Sequence, residues 1–330
     1  MTRRRSVLDL SILNEGQSSS DALATTTALA RRADELGYAR FWVAEHHNMP
    51  TVACTSPTVL IAHLASNTST IRVGSGGVML PNHAPLVVAE SFAMLEALHP
   101  GRIDVGIGRA PGTDHATAAA IRRTTHLGAD DFPRDLLDVM GLLGDPRTET
   151  GLWQRFSATP APMSAPDVYL LGSSDYSARL AAQLGLPFAF AHHFDLGGGD
   201  LGATLHVAAL YRANFRPSPV LAEPHLIVTA NVLAADTADE AEWHASSGRL
   251  TMLRRRSGHF LPLSPPAEAV TQPDYATARR MPSARIVGDA AMVDAGLEQL
   301  AVLTTADELM ITCVAYELTA RLRSLELLAA

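Results

Sequence analysis

Phe41-Trp42-Val43-Ala44-Glu45-His46-His47 decides how this chain is read. An apolar, aromatic-rich run of strand type stops at a carboxylate and two adjacent imidazoles. Titratable side chains at a strand end are expensive to keep without work to do. At the C-terminal end of a parallel barrel strand they read as catalytic. Histidine is the side chain suited to moving protons near neutral pH. A Glu–His pair satisfied by hydrogen bonds, with no chemistry, would look the same from this segment alone.

Outward from that segment, short apolar runs alternate with longer helical patterns. Strands are expected over residues 7–13, 40–44, 71–80, 102–108, 167–171, 187–191, 225–233 and 308–315. Helices are expected over 20–36, 57–67, 85–98, 131–143, 174–184, 201–215, 238–256 and 319–328. Ser20 is read as the N-cap of the first helix and Gly37 as its stop. Pro57 sits where a first helical turn accepts proline. Eight strands, each followed by a helix, predict a single (β/α)8 TIM barrel over residues 1–330, with insertions. The strands read as continuous apolar runs, as expected when both faces are buried. The longest insertion, residues 257–282 between the seventh and eighth strands, is rich in Pro, Ser and Ala. It reads as a mobile lid or as plain disorder. The Gly197-Gly198-Gly199 run reads as a flexible loop.

Composition removes whole classes of function. Of 330 residues, 47% are hydrophobic and 18% charged, enough for a large core. A net charge of -8 and 5% aromatic residues argue against nucleic-acid binding. All 26 basic residues are arginine, with no lysine in the chain. That excludes a pyridoxal Schiff-base lysine, a P-loop lysine and a kinase strand lysine. Cys54 and Cys313 lie far apart, so neither a disulfide framework nor a thiolate zinc site is expected. Thirteen histidines offer no HExxH or H-x-H spacing, and no metal is expected. No leader-type segment or bilayer-length apolar run is seen, so the expected location is the cytoplasm, with no membrane contact.

Four further segments carry candidate chemistry. Leu171-Gly172-Ser173-Ser174-Asp175-Tyr176-Ser177 runs from a strand into a helix start, where hydroxyls and free N–H groups make an anion site or an ordinary cap. Arg102-Ile103-Asp104-Val105-Gly106-Ile107-Gly108-Arg109 ends a strand in glycine and arginine. With Ala110-Pro111-Gly112 it imitates a dinucleotide fingerprint, but its third glycine is late and Pro111 sits where the helix should open. Arg109 can instead grip a phosphate, or form a surface salt bridge. Gly74, Gly76 and Gly77 interrupt a good strand, marking a bulge or a flat ligand against backbone. His83, His192 and His193 fall on the same predicted barrel face as His46.

Taken in order, these segments resemble the bacterial-luciferase-like family of flavin-dependent monooxygenases. Val73-Gly74-Ser75-Gly76-Gly77-Val78-Met79-Leu80-Pro81 and Ala306-Asp307-Glu308-Leu309-Met310 extend the likeness over nearly the whole chain. The resemblance implies reduced FMN and O2 as co-reactants at the C-terminal face of the barrel. It implies that Arg109, Ser173, Ser174, Tyr176 (through its backbone) and Ser177 hold the FMN phosphate. It also implies a non-proline cis peptide at Gly76-Gly77 beneath the flavin. His46 matches the catalytic histidine, with Glu45 and His47 in support. Met79, His192, His193 and Phe194 are the expected substrate-pocket residues, His192-His193-Phe194 standing where the family places an aromatic wall. The implied activity is a two-component monooxygenase acting on an apolar organic molecule, with a separate reductase supplying FMNH2. Deazaflavin F420 chemistry on the same fold, or FMN binding without turnover, are the alternatives. A homodimer is expected through the second and third helices, where Leu60, Ile61, Leu64, Val87, Phe92 and Leu95 offer more apolar surface than one barrel side needs.

Overall fold

The computed structural model describes residues 3–122, 130–195 and 198–329, so Gly197 of the expected glycine loop lies outside the described residues. Its strands are β1 (Arg4–Asp9), β2 (Arg40–Val43), β3 (Arg72–Ser75), β4 (Val78–Met79) and β5 (Ile103–Gly108). They continue with β6 (Asp167–Gly172), β7 (Phe188–Phe190), β8 (Leu226–Ala235), β9 (Ile286–Asp289) and β10 (Glu308–Thr312). All pair in parallel, in the order β1-β2-β3-β5-β6-β7-β8-β10-β1, with β4 continuing β3 beside β5. This is the closed eight-stranded (β/α)8 barrel, with helices around it. Register is tight: Val7 lies opposite Phe41 and Ile311, and Trp42 opposite Gly74.

Side chains alternate across the barrel wall with period two. Phe41 and Val43 join the outer shell with Leu64, Phe92 and Ile103, between strands and helices. Trp42 faces the axis and packs with Leu8, Tyr169, Ala189, Ile227 and Met310. The Trp42 and Tyr169 rings meet edge-on at 5.0 Å. Fully burying one such side chain contributes about 1.5–3 kcal/mol. One step toward the strand starts, the buried Arg40 joins Asp104 at 2.8 Å and Glu308 at 2.8 Å. Trp42 Nε1 donates to Asp104 at 2.8 Å and Arg72 pairs with the same carboxylate at 2.6 Å. The same alternation carried past the end of β2 sends Glu45 outward with Val43, and His46 inward with Trp42.

Two strand walls approach closely near the Gly76-Gly77 peptide, which is cis as the resemblance implies. Ser75 Oγ donates to Gly106 O at 2.9 Å, and Gly106 N donates back to Ser75 Oγ at 3.0 Å. A Cβ on Gly106 would lie 1.9 Å from Ser75 O, so only glycine permits this contact.

Several expected elements differ. The first helix, Ser19–Glu35, is capped by Ser18 and not Ser20, because Ser18 and Asp21 form a reciprocal capping box. The expected third strand is two strands, broken at the glycine pair. A helix at His115–Arg122 was not expected, nor was the extra unit of β9 and helix Ala290–Thr304, which attaches to the end of β8 outside the barrel. Residues 257–282 are not irregular: they contain helices Pro266–Ala269 and Tyr275–Arg280, with Leu263, Ala269 and Ala278 buried. The apolar residues offered for a dimer are mostly used within the chain. Leu60, Ile61, Leu64, Phe92 and Leu95 are buried against the barrel, and only Val87 is exposed. Among the described residues, no helix is long and apolar enough to cross a membrane.

Candidate active site

Three groups of side chains surround the C-terminal end of the barrel. The first is built on Glu45, which is fully buried just past β2. Its Oε1 accepts from His47 Nε2 at 2.8 Å, His83 Nε2 at 2.8 Å and Asn82 Nδ2 at 3.2 Å. Its Oε2 accepts from the backbone N–H of Met79 at 2.9 Å. Burial alone would raise the Glu45 pKa, but these donors, His83 foremost, hold it below the ordinary carboxylate value. Glu45, His47 and His83 bring three metal-capable atoms within 4.8 Å of one another, a grouping no sequence spacing announces. Oε1 faces the two imidazoles and the Asn82 amide together. Glycine is required beside it. Gly112 has φ +64°, and a Cβ there would lie 2.7 Å from Glu45 O. A cavity of about 370 Å³ lies between this cluster and helices Pro57–Ser66 and Pro85–Leu98, lined by His47, His83, Pro57, Val87 and Phe92.

The second group joins the ends of β5 and β6. Arg109 is exposed, and its guanidinium lies over the Tyr176 ring at 4.3 Å. Among the described residues it makes no side-chain hydrogen bond and no ion pair. Opposite stands the start of helix Asp175–Leu184. Ser177 Oγ donates to Ser174 O at 2.8 Å and is met by Ser174 N at 3.4 Å. Gly172 makes room for it, since a Cβ there would fall 2.1 Å from Ser177 Oγ. Ser173 is half-buried, while Ser174 and Tyr176 face solvent.

The third group faces the barrel axis. His46 is half-buried, and its Nδ1 is buried without a partner. Burial first, then the Arg255 charge, lower its pKa to about 4; Glu45 pulls the other way, and His47 adds a smaller lowering. His193 Nδ1 is likewise unpartnered. Its pKa falls to about 3 through burial, His192, His46 and Arg255. Phe194 is exposed and its ring meets that of His193 at 4.6 Å, tilted by 57°. His192 points elsewhere: its Nδ1 meets Thr204 Oγ1 of helix Gly202–Asn214 at 2.9 Å. Met79 reaches toward β5, its Sδ 3.1 Å from where a Gly108 Cβ would lie.

The structure thus splits the Glu45-His46-His47 triplet between two sides of the wall. It brings Arg109 to Tyr176, and His46 to His193. Sequence reasoning missed Asn82, Arg255 and Arg285. Arg255 sits in an Arg254-Arg255-Arg256 run at a helix end, where basic residues are ordinarily read as complementing the helix dipole. Nothing in the sequence marks Arg285.

Comparison with known proteins adds the family. The model of the luciferase-like monooxygenases matches residues 6–319. A luciferase-like monooxygenase of Escherichia coli K12 is 43% identical over 98% of this chain and 95% of its own. The N-acetyl-S-alkylcysteine monooxygenase of Bacillus subtilis is 38% identical over 74% of this chain and 71% of its own. Among solved structures, apo-MsnO8 superimposes with a TM-score of 0.90 at 37% identity, covering 99% and 98% of the two chains. The oxygenating constituent of 3,6-diketocamphane monooxygenase, solved with FMN, shares the fold, with a TM-score of 0.74 at 18% identity over 99% and 97%. With the barrel, the cis Gly76-Gly77 step and these matches together, the chain belongs to the luciferase-like monooxygenase family and is a flavin-dependent monooxygenase.

Proposed function

We propose that this chain is the oxygenating component of a two-component system, taking reduced FMN from a separate reductase and using O2 to oxidise a small organic substrate. The observation that carries the reading is the acid-free guanidinium of Arg109 facing the serine-rich start of helix Asp175–Leu184. An arginine fork, hydroxyls and unpaired helix N–H groups are the donor set a phosphate monoester takes. Arg109, Ser173, Ser174, the Tyr176 backbone and Ser177 would hold that phosphate, with Gly76 and Gly77 beneath the ring system. The FMN in the 3,6-diketocamphane enzyme supports the same cofactor here. Bound reduced flavin would supply the electrons that activate O2, one oxygen atom entering the substrate and the other leaving as water.

The chain's own groups orient and protect that reaction. His46 is neutral at pH 7, so it can accept a proton but carries none to give until it has done so. Its inward direction aims it at the barrel axis. Glu45 binds His47 and His83 and ties the turn after β4 to the end of β2. No second anion-binding turn for a nicotinamide is evident at residues 106–112, where β5 ends in a turn and the next helix opens only at His115. Reduced flavin would therefore come from outside. The chain would also pair with a second copy through the exposed Val59, Val87, Met94 and Leu98 of helices Pro57–Ser66 and Pro85–Leu98.

The test is anaerobic stopped-flow mixing of FMN-loaded protein with NADH or NADPH, followed by addition of a flavin reductase. The flavin band should bleach only after the reductase is added, and oxygen uptake should follow re-aeration. Rapid bleaching by nicotinamide alone would end the two-component reading.

A further inference from the structure

Glu45 and His47 stand two residues apart on the extended chain that continues β2, so both side chains leave the same face of the barrel wall. His83, 38 positions beyond Glu45, reaches that face from the loop before helix Pro85–Leu98. Both imidazoles meet one carboxylate oxygen, Glu45 Oε1, through the same ring nitrogen, Nε2, each at 2.8 Å. Bonds of about 2.0–2.1 Å to a zinc-type ion, set at a right angle, put their ligand atoms about 2.9 Å apart. The two Glu–His separations therefore match neighbouring positions of one coordination shell, and all three atoms lie within 4.8 Å of one another. The carboxylate is also aimed from outside. Met79 N donates to Oε2 at 2.9 Å, and Asn82 Nδ2, which donates to Pro111 O at 2.8 Å, reaches Oε1 at 3.2 Å. Outer partners of this kind orient a ligating carboxylate.

Charge and space point the same way. Glu45 is fully buried, and among the described residues only histidines form ion pairs with it. A buried carboxylate needs a positive partner, which here is either an imidazolium or a bound cation. Two imidazoles and one carboxylate, without a thiolate, are a donor set for zinc and other first-row divalent metals, whereas calcium and magnesium take oxygen ligands. Glu45, His47 and His83 all line the cavity of about 370 Å³. The first turns of helices Pro57–Ser66 and Pro85–Leu98 line it too, and neither turn has a side-chain cap on its N–H groups. Water or a small anion suits the remaining coordination positions on that side.

We propose that Glu45, His47 and His83 form a site for a divalent transition metal of the zinc type, on the outer side of the barrel wall, with its open positions facing the cavity. The ion sits where the two Nε2 hydrogens otherwise point, and each imidazole keeps its proton on Nδ1. It ties the end of β2 to the loop before helix Pro85–Leu98. The flavin-phosphate donors stand elsewhere, at β5 and β6, and His46 turns to the other side of the wall. The metal site is therefore no part of the proposed flavin chemistry and stands without it. No short ligand spacing announces it, because the third ligand arrives only through the fold.

The test is calorimetric titration of the full chain, freed of metal by a chelator and dialysed, with zinc chloride. One ion per chain should bind, and the melting temperature should rise with zinc, as binding to the folded form demands. His47→Ala and His83→Ala should each weaken zinc by at least about tenfold and lose most of that rise. His206→Ala, which removes an exposed histidine paired with Asp175, should change neither. X-ray absorption of the zinc-loaded parent needs no variant, and should show two imidazoles and oxygen donors around the ion. No binding at millimolar zinc, unchanged affinity in both alanine variants, or an absorption spectrum without imidazole would overturn the proposal. Glu45 would then be neutralised by an imidazolium alone.

Discussion

The two ends of the barrel treat charge in opposite ways. At the strand starts, Arg40 and Arg72 meet Asp104 and Glu308, and the buried cations and anions answer one another. At the strand ends, among the described residues, the exposed Arg109 has no acid partner, and His46 and His193 keep unpartnered ring nitrogens. Both ends are built by the same alternation along the same strands: Arg40, Trp42, Ala44 and His46 are successive inward positions of β2 and its extension. The difference teaches where the chain stores stability and where it stores capacity for ligands. Satisfied charges hold the closed end together, while the open end sets one satisfied carboxylate, Glu45, beside groups that have no partner.

The sharpest test is function without stability. His46→Asn should bind FMN nearly as the parent does and melt at a similar or higher temperature. It should lose about 10²–10⁴ in turnover, the usual span for a lost proton-transfer group. Unchanged reductase-coupled oxygen uptake would remove His46 from the chemistry and move attention to His193.

Stability without function is the reciprocal case. Arg40→Met leaves Asp104 and Glu308 buried with part of their positive partner gone, and should cost about 3–5 kcal/mol. Arg109→Met, at the mouth, removes an exposed cation that has no acid partner among the described residues and should be near neutral. Calorimetric melting of both variants reads the contrast directly, and equal losses would erase the distinction between the two ends.

That distinction was only half legible in the sequence. The barrel was, because apolar strand runs and helix stops recur at regular spacing. The period-two rule at Phe41, Trp42 and Val43 also tells where Glu45 and His46 point. The unit of β9 and helix Ala290–Thr304 carried a readable signal, with Asp289 capping Met292 N and Val293, Leu297, Leu300 and Ala301 forming one buried face. It was missed because eight strands with one helix each already fill a barrel. The joining of Glu45 to His83 was not legible at all, since 38 positions separate them and they meet only when the barrel folds. The charge network at the closed end hid for the same reason, since Arg40, Asp104 and Glu308 meet only when the sheet closes.

A smaller effect is expected where the mouth binds cofactor. Arg109→Ala should weaken FMN by roughly tenfold or more, in line with about 1.5–3 kcal/mol for a charge-assisted contact. Riboflavin, which lacks the phosphate, should bind nearly as before. Equal losses for both flavins, measured by fluorescence quenching, would mean that Arg109 supports the ring or the fold and not the phosphate.

The mildest effect separates the two ends by pH. His46 and His193 have folded pKa values lowered from 6.5 to about 4 and about 3. The unfolded chain therefore takes up protons below pH 6.5 that the folded chain refuses. Their neutral burial costs nothing above pH 6.5 and destabilises progressively as pH falls toward 4 and then 3. Glu308 is lowered from 4.5 to about 2, chiefly by His225 and Arg40 acting against burial. Its contribution is whole above pH 4.5 and is lost between 4.5 and 2. Acid should thus weaken the mouth first and the closed end second. His46→Asn should flatten the stability curve between pH 6.5 and 4 by at most about 1.4 kcal/mol per pH unit, the limit for one proton. It should leave the steeper fall below pH 4.5 in place. Denaturant titrations at half-unit pH steps give the curve. A parent and variant that run parallel from pH 6.5 to 4 would show that His46 is not held neutral by the fold, and its assignment as a proton acceptor at the barrel axis would go with it.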